Sequence, residues 1–499
     1  MRSPDITIVL NAHREGPLLA PTLRSLTDTA LHATTRGLSV ELVAVLDSPD
    51  PATRAALTSF ESAAFARIEV IEVAHRSLGP SRNAGLAAAK GAFTATVDGD
   101  DLYSFNYLAE MHAAATSGGL VVAVPGITVW FDADTSVQRF EPLARTGRFR
   151  LLGAHTFISC ILAPTAFLRD LGYRDCASRA YAYEDYDLNC RAVAAGADIR
   201  AAEDAALFYR RRAGSIMADI GDATQRIVPP NPLFDPAAVV AHGDGDAVVE
   251  DGETLRPGLH ALRASHVLAE LVAHAGAIEP RIELAKLREA PVWTNAMFAR
   301  DFGRAYHDLC RRLQGQRFDG VLVVAALAGL PAGLVRIAES RGRRLIIETA
   351  AAAPSPLALP DGVQAIGLGD LPAARRAEMI VRLVHAFAPQ APLHLVLGGE
   401  EDALLGGLAE ALEGHSLVVY DLGADGRAQA LPPEAFAAID LVVCDDRNAA
   451  DALVARQPAL AGRVAMLPAS ASADEVARFL DDIEARLRPR PTERRWTRA

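Results

Sequence analysis

Short apolar runs alternate with stretches of helical periodicity over the first 100 residues of the chain. The apolar runs, predicted to be strands, cover residues 6–10, 40–46, 66–74 and 93–97. The stretches between them, predicted to be helices, cover residues 17–30, 51–62 and 80–89. Nearly continuous apolar strands separated by helices are typical of a parallel sheet covered by helices on both faces. The sequence therefore predicts an α/β fold for this part of the chain.

The length of 499 residues is enough for two or three domains, at about 150 residues each. A first domain is predicted over residues 1–227. A proline cluster and a Gly/Asp run make residues 228–258 the best linker candidate. A helical connecting segment is expected over 259–316, and a second, Rossmann-like α/β domain over 317–488. Residues 489–499 form an arginine-rich tail.

The composition excludes several classes of protein. Half of the residues are hydrophobic and 22% are charged, so the chain is not disordered throughout. Its net charge of −12 argues against a general nucleic-acid binder. Five scattered cysteines without C-x-x-C spacing favour a reduced, cytoplasmic protein over a zinc ribbon. The apolar run at the N-terminus is too short for a signal peptide, and residues 321–335 fall short of a membrane span.

An acidic motif directly follows the fourth predicted strand, with the sequence Asp98-Gly99-Asp100-Asp101. Ligands of open α/β sheets bind at the carboxyl ends of the strands, where this motif is expected to lie. Three carboxylates so close together repel each other unless a positive charge lies among them. Mg²⁺ and Mn²⁺ prefer oxygen ligands and often bridge carboxylates to substrate phosphates. The motif thus indicates a divalent cation bound to a diphosphate, with a solvated acidic turn as the alternative.

The segment SLGPSRNAGLAAAKGAFTATVDGDD (77–101) resembles the corresponding segment of inverting family 2 glycosyltransferases. The matching positions before the acidic motif are Arg82, Asn83, Gly85, Ala89, Gly91 and Phe93. The resemblance implies the GT-A fold and a nucleotide-sugar donor. It also implies that Asp100 and Asp101 bind Mn²⁺ or Mg²⁺, that Asp98 lies near the ribose, and that Arg82 and Asn83 belong to the donor site.

Two segments upstream carry the same resemblance. Asn11, His13 and Glu15 occupy the place of the family's P-x-Y-N-x-x segment beside the nucleotide base, although Pro and Tyr are missing. ELVAVLDSPDPAT (41–53) is similar to the family's E-I-I-V-V-D-D-G-S segment and keeps its second Asp as Asp47. The resemblance implies that Asp47 binds uracil or another base. From the residues alone, Asp47 could equally cap the next helix.

A second acidic segment, Tyr183-Glu184-Asp185-Tyr186-Asp187-Leu188, resembles the family's E-D-x-D-L segment. The resemblance implies that Asp185 is the general base, with Glu184 beside it. An acceptor hydroxyl must lose its proton as it attacks, and a positioned base contributes about 10²–10⁴-fold to such a step. The alternative is a helix N-terminus that simply favours acidic residues.

Arg210 and Arg212 belong to the segment LFYRRRAGSI (207–216), which resembles the family's Y-R-x-H-x-x-S segment with Arg212 in place of His. Arginine cannot ligate a metal, but its planar guanidinium can bind a diphosphate. Arg210 or Arg212 is therefore expected to stabilise the donor's charge, with a solvated basic turn as the alternative.

The resemblance covers about residues 4–220, and the region 317–488 is only faintly similar to the amino-terminal half of a GT-B glycosyltransferase. We expect that region to bind the acceptor or a partner, or to dimerise. Three of its residues are expected to be core or surface positions rather than ligands: His394, His415 and Cys444.

The sequence thus predicts a metal-dependent inverting glycosyltransferase of polysaccharide or glycoconjugate synthesis. Its expected donor is a UDP-sugar and its expected acceptor is a saccharide or a lipid-linked molecule. The sequence also allows a homo-oligomer. The basic tail, with Trp496, allows peripheral contact with the inner face of a membrane, against the simpler prediction of a solvated end. The alternatives are a sugar nucleotidyltransferase and a non-catalytic sugar- or partner-binding protein. A sugar nucleotidyltransferase normally has a Gly-rich phosphate loop after its first strand, and the loop NAHREGP lacks that character. Retention of both acidic segments argues against a non-catalytic binding protein.

Overall fold

The computed structural model describes most of the chain, and all structural statements below concern that part. The described residues are 3–176, 181–212, 227–243, 258–259, 261–297, 300–327, 342–354, 359–389, 391–398, 404–405, 409–412, 414–422, 426–467 and 472–487. The predicted basic tail and the Gly/Asp-rich half of the predicted linker, 244–257, lie outside these residues.

The first part of the chain forms a mixed ten-stranded sheet in the order β10-β7-β6-β8-β4-β1-β2-β3, with β5 and β9 joined through β6. The strands are β1 (Ile6–Ala12), β2 (Val40–Asp47), β3 (Arg67–Val73), β4 (Phe93–Asp98), β5 (Leu102–Tyr103), β6 (Val121–Asp132), β7 (Ser136–Arg139), β8 (Leu162–Pro164), β9 (Asp198–Arg211) and β10 (Val292–Thr294). The first four are parallel, with β1 between β2 and β4, and β1 and β2 are buried along their whole length. The four predicted strands and the α/β fold are confirmed.

Helices cover this sheet. They are α1 (Leu19–Thr35), α2 (Pro51–Thr58), α3 (Leu78–Ala88), α4 (Tyr107–Ala115), α5 (Leu143–Thr146), α6 (Arg148–Gly153), α7 (Thr165–Leu171) and α8 (Glu184–Ala194). The side chain of Asp50 caps α2, whose first residue is a proline, as helix starts favour. Helix α3 packs so closely on β1 that a Cβ at Gly85 would lie 2.3 Å from Val9 Cγ1. This close approach fixes the distance between α3 and the sheet, and with it the position of Arg82.

The first half of the predicted linker is packed rather than extended. Residues 227–243 contain a helix, α9 (Pro236–His242), and bury Phe234 in the main core. Asn231 donates hydrogen bonds from Nδ2 to the backbone and carboxylate oxygens of Asp187, at 3.0 and 2.9 Å. A proline-rich segment can be buried when its few polar groups find such partners, and the described part of 228–258 is therefore part of the first unit.

The predicted helical connecting segment is also built onto the first sheet. It contains α10 (His266–Ile278), α11 (Leu284–Glu289) and α12 (Arg300–Arg312). Strand β10 pairs with β7 in the first sheet, and Leu268, Leu271 and Val272 share a core with β6 and β9. The segment thus extends the first unit instead of merely connecting two.

The second sheet has seven parallel strands in the order β13-β12-β11-β14-β15-β16-β17. They are β11 (Gly320–Val324), β12 (Arg344–Glu348), β13 (Val363–Gly367), β14 (Leu393–Val396), β15 (Leu417–Asp421), β16 (Leu441–Cys444) and β17 (Val464–Met466). The predicted Rossmann-like α/β region is confirmed. Strand β13, with the sequence VQAIG, lacks a continuous apolar run.

Four described helices belong to the second unit: α13 (Ala373–Phe387), α14 (Ala435–Ala438), α15 (Arg447–Arg456) and α16 (Ala473–Arg486). His394, His415 and Cys444, expected to be core or surface positions, are buried. Burial lowers the pKa of His394 to about 3 and that of His415 to about 4, so both imidazoles are neutral. None of the helices in the described ranges has the length and apolar character needed to cross a bilayer.

Candidate active site

A cavity of about 1000 Å³ opens at the carboxyl edge of β1, β2 and β4. The parallel register brings this edge together, since Asn11 of β1 lies beside Asp98 of β4. Eleven of the thirteen predicted site residues line the cavity: Asn11, His13, Glu15, Asp47, Arg82, Asp98, Asp100, Asp101, Glu184, Asp185 and Arg212. Segments about 200 residues apart in the chain thus meet in one cavity.

Arg82 joins the two acidic segments. Its Nη2 donates to Asp98 Oδ1 at 3.1 Å and its Nη1 to Glu184 Oε1 at 2.5 Å. The residue is 1% exposed, and its guanidinium lies over the ring of Tyr173 at 5.3 Å. A buried arginine requires such pairing, because an unpaired buried charge is costly. Arg82 therefore fixes the distance between the acidic motif after β4 and the start of α8.

At the opposite end of the cavity, Asp47 organises the loop before α3. Its carboxylate accepts hydrogen bonds from the backbone N–H groups of Arg76 and Ser77 and from the hydroxyls of Ser48 and Ser81. Burial raises the pKa of Asp47, but these hydrogen bonds outweigh it and the net shift is downward. Four bonds fill the capacity of a carboxylate, so Asp47 shapes this wall through its partners.

Two residues that were predicted to lie near the nucleotide base, His13 and Asn11, line the cavity, and His13 lies beside Asp47. His13 Nδ1 is 2.5 Å from the Asp47 carbonyl oxygen, and His13 N–H donates to Glu15 Oε2 at 2.6 Å. Asn11 is 6% exposed, and its amide atoms have no hydrogen-bond partner among the described residues. A buried, unsatisfied amide at a cavity wall is poised to bind a polar ligand.

The acidic motif contains a group of convergent ligand atoms. One oxygen each of Asp98 and Asp101 and the Cys160 sulfur lie within 4.8 Å of one another. Asp101 is 1% exposed. Its Oδ1 accepts a hydrogen bond from the backbone N–H of Arg210 at 2.8 Å, and its Oδ2 has no partner among the described residues. Burial, and then the charges of Asp100 and Asp98, raise the pKa of Asp101 well above its usual range.

Asp100 is oriented differently from its neighbours in the motif. Its Oδ2 accepts a hydrogen bond from Arg212 Nε at 2.9 Å. Burial raises the pKa of Asp100 in spite of this bond, and also that of nearby Glu15, whose pKa the Asp100 charge raises further. Where the sequence paired Asp100 with Asp101, the structure thus brings Asp98 and Asp101 together and directs Asp100 to Arg212.

Two predicted donor-binding residues lie outside the cavity lining. Arg210 is 2% exposed, and its Nη2 donates to Glu279 Oε2 at 2.8 Å while its Nε donates to the Asp100 carbonyl oxygen at 3.0 Å. Asn83 exchanges two hydrogen bonds with the backbone of Tyr173. Both side chains are committed to neighbouring protein groups, so we assign them structural roles instead; of the two arginines, Arg212 faces the cavity.

The second acidic segment begins α8. Tyr183, immediately before it, has a φ of +67°, a left-handed conformation that is uncommon for a bulky residue and often found at functional sites. Asp185 Oδ1 accepts the N–H of Tyr186 at 2.8 Å, and Asp185 Oδ2 lies 3.7 Å from His155 Nδ1. His155 stacks on the ring of Tyr186 with a centroid distance of 5.5 Å.

Burial raises the pKa of Glu184 to about 7, against the attraction of Arg82, and the charge of Asp185 raises it further. The usual value is 4.5, so between about pH 4.5 and 7 the folded protein keeps a proton that the unfolded chain has lost. Glu184 therefore lowers the free energy of unfolding as the pH rises, by at most about 3 kcal/mol.

Glu184→Gln, neutral at every pH, should melt close to wild type at about pH 5 and at a higher temperature than wild type at about pH 8. A melting difference that does not change with pH would contradict this result.

Several cavity residues were not predicted from the sequence. His155, Ile227 and Val228 come from irregular segments, and Arg375 and Glu378 come from α13 of the second unit. No motif surrounds any of them, so no sequence signal was available.

The chain was compared with known protein families, curated proteins and solved structures. Residues 7–170 match the model of the family described as glycosyl transferase family 2. Among solved structures, the mannosyltransferase PcManGT from Pyrobaculum calidifontis, in complex with GDP-Man and Mn²⁺, aligns with a TM-score of 0.35 and 15% identity over 56% of this chain and 73% of its own. S. aureus TarS 1-349, in complex with UDP-GlcNAc, aligns with a TM-score of 0.34 and 17% identity over 63% of this chain and 94% of its own. The search of curated proteins found no match. The matched segment contains strands β1 to β4, except for Ile6, and the acidic motif, so residues 7–170 are similar to a glycosyl transferase family 2 domain.

Proposed function

We propose that the protein is a metal-dependent inverting glycosyltransferase that moves a sugar from a nucleotide-diphosphate sugar to an acceptor hydroxyl. The observation that carries this proposal is the Arg82 bridge, which holds the acidic motif and the Glu184–Asp185 pair in one cavity. A transfer of this kind needs a site for the diphosphate and a base for the acceptor within reach of the same anomeric carbon.

The acidic motif has the chemistry of a divalent-cation site. The unpartnered, buried Oδ2 of Asp101 and the converging oxygen of Asp98 provide the hard ligands that Mg²⁺ and Mn²⁺ prefer. The third converging atom, the Cys160 sulfur, is a soft ligand, whereas Mg²⁺ and Mn²⁺ prefer oxygen. We assign the cation to Asp98 and Asp101, with Asp100 beside them. A bound cation would neutralise charge on the departing diphosphate.

The residues of the chain account for the rest of the reaction. Asp185 accepts the proton of the acceptor hydroxyl as that oxygen forms its bond to the anomeric carbon. The bond between that carbon and the diphosphate oxygen breaks, and its electron pair leaves with the nucleoside diphosphate. Arg212, which lines the cavity, stabilises the leaving charge. Attack from the face opposite the leaving group inverts the anomeric configuration.

A screen of nucleotide sugars tests the proposal. UDP-sugars come first and GDP-sugars next, each with Mn²⁺, with Mg²⁺ and with excess chelator. At about 100 times its Kd, a true donor should stabilise the protein by about 2.7 kcal/mol, and should do so only with metal. Slow hydrolysis of the donor by water, which releases the nucleoside diphosphate, should accompany the stabilisation. Absence of both effects for every nucleotide sugar would overturn the proposal.

The metal assignment gives a separate prediction. Asp101→Asn keeps the shape of the side chain but removes the charge that a cation requires. We expect at least a tenfold loss in Mn²⁺ affinity, measured by calorimetry in the presence of nucleoside diphosphate. Asp134→Asn is the matched control, because Asp134 pairs with Arg211 at the surface with 68% of its side chain exposed. Equal Mn²⁺ affinities of wild type and Asp101→Asn would refute the assignment.

A further inference from the structure

Helix α13 of the second unit forms one wall of the catalytic cavity. Its residues Arg375 and Glu378 line the same cavity as Asp185 and Asp100. The matched family segment ends at residue 170, so this wall lies outside it. A cavity of about 1000 Å³ lies at the upper end of the range of about 300–1,000 Å³ for small-molecule sites, which leaves room for a second substrate.

The wall is attached to the end of α6. The last carbonyls of an α-helix lack partners within the helix. Here three of them accept hydrogen bonds from side chains of other elements, two from α13 and one from α8. The pairs are Arg375 Nη2 with Gly153 O at 2.8 Å, Arg382 Nη1 with Leu152 O, and Tyr186 Oη with Leu151 O at 2.5 Å. Helices α13 and α8 therefore hold the same short segment from two sides.

Aromatic rings of the first unit fix the arginines of α13. The Arg375 guanidinium lies 3.9 Å from the ring centroid of Phe302, and the Arg382 guanidinium 4.3 Å from that of Phe234. Arg382 is 6% exposed, and a cation–π contact strengthens when it is removed from water. These contacts preorganise the α13 wall before any ligand binds.

The same segment leads to the proposed base. His155, two residues after Gly153, places Nδ1 3.7 Å from Asp185 Oδ2. The hydrogen bond from Arg375 to Gly153 thus lies within two residues of a group beside Asp185. A molecule bound against α13 would lie near the position where the acceptor hydroxyl must give up its proton.

The side chains of the wall suit a ligand with adjacent hydroxyls. Glu378 Oε2 accepts from Arg375 Nε at 2.8 Å, and Glu378 Oε1 from Arg382 Nη2 at 3.0 Å. A carboxylate has about four acceptor sites, and a guanidinium has five N–H donors, of which Arg375 uses two in these contacts. Acceptor oxygens and donor N–H groups therefore stand side by side, and neighbouring sugar hydroxyls, which both donate and accept, match this arrangement.

We propose that Arg375 and Glu378 form the acceptor subsite, that its ligand is a saccharide, and that the active site is shared between the two sheet units. The inference rests on the proposed glycosyltransferase function and specifies where that function binds its second substrate.

The test uses full-length protein at saturating donor and metal, with the donor found in the nucleotide-sugar screen. Release of nucleoside diphosphate is followed against increasing concentrations of the methyl glycosides of glucose, galactose, mannose and N-acetylglucosamine. Glu378→Gln and Arg375→Lys should each raise the acceptor KM about tenfold, as expected for a lost hydrogen bond to a charged group. The donor KM should stay within twofold of wild type.

Arg376→Gln is the matched control, because Arg376 donates to Leu371 and Gly369 of its own unit and does not line the cavity. Arg376→Gln should leave the acceptor KM and the donor KM unchanged. An unchanged acceptor KM in both α13 variants, or a donor KM that rises as much as the acceptor KM, would overturn the subsite. Donor hydrolysis that no glycoside accelerates in wild type would overturn the saccharide assignment, whereas absence of donor binding and hydrolysis would overturn the proposed function itself.

Discussion

Asp185→Asn is expected to lower kcat at least 100-fold while donor affinity stays within about twofold of wild type. The amide keeps the size of the carboxylate and can still accept the hydrogen bond from the Tyr186 N–H. It has no basicity, so the acceptor hydroxyl loses the group that takes its proton, and a general base contributes about 10²–10⁴-fold. A loss confined to kcat indicates an interaction made only in the transition state.

Donor affinity is measured by calorimetry and turnover by release of nucleoside diphosphate. Asp204→Asn serves as the control, because Asp204 is an exposed acid on β9 outside the cavity lining. Near-normal turnover in Asp185→Asn would exclude Asp185 as the base. A loss of donor binding with normal turnover at saturation would instead place Asp185 in the donor site.

Local sequence patterns were sufficient for the centre of the fold. Buried strands β1, β2 and β4 are nearly continuous apolar runs, and each is followed by a polar cavity residue: Asn11 ends the run in β1, Asp47 that in β2 and Asp98 that in β4. Once the strands are parallel and adjacent, these side chains must meet at one edge. The cavity was thus predictable because each strand and the polar residue at its end can be recognised in a short local segment.

The roles of individual polar side chains depended on distant partners. Arg210 is drawn into the protein by Glu279, 69 residues further along the chain, and Asn83 by the backbone of Tyr173, 90 residues further along. Arg212 lies just beyond the end of β9, where the alternation of a strand no longer dictates its direction. Spacing alone could not separate the arginine that faces the cavity from the one that supports it.

The contribution of the second unit was invisible to sequence reasoning for the same reason. Arg375 and Glu378 lie on an amphipathic helix that resembles any helix covering a parallel sheet. Only the packing of α13 on Phe302 and on the end of α6 brings them to the cavity. The prolines of 229–232 are a second example, since composition indicated a linker candidate but not the hydrogen bond from Asn231 to Asp187.

Arg82→Ala should produce the largest loss of stability among the site variants. It leaves Asp98 and Glu184 facing each other without the cation between them, and breaking a buried ion pair costs about 3–5 kcal/mol. Arg82→Lys keeps the charge, but one ammonium cannot replace the planar fork that binds two carboxylates from different elements. We expect the lysine variant to recover part of the stability and little of the activity, because the acidic motif and α8 are no longer held at a fixed separation.

Thermal and denaturant unfolding measure the loss, and Arg54→Ala is the control for removing an arginine as such. Arg54 also pairs with a carboxylate, Glu72, but the two side chains are 43% and 49% exposed, and a surface pair in water contributes little to stability. The difference between the two alanine variants therefore isolates the effect of burial. An Arg82→Ala protein that unfolds at the same midpoint as Arg54→Ala would mean that water already screens the Asp98–Arg82–Glu184 bridge, and the bridge could then not be what sets the distance between the diphosphate end of the cavity and the base.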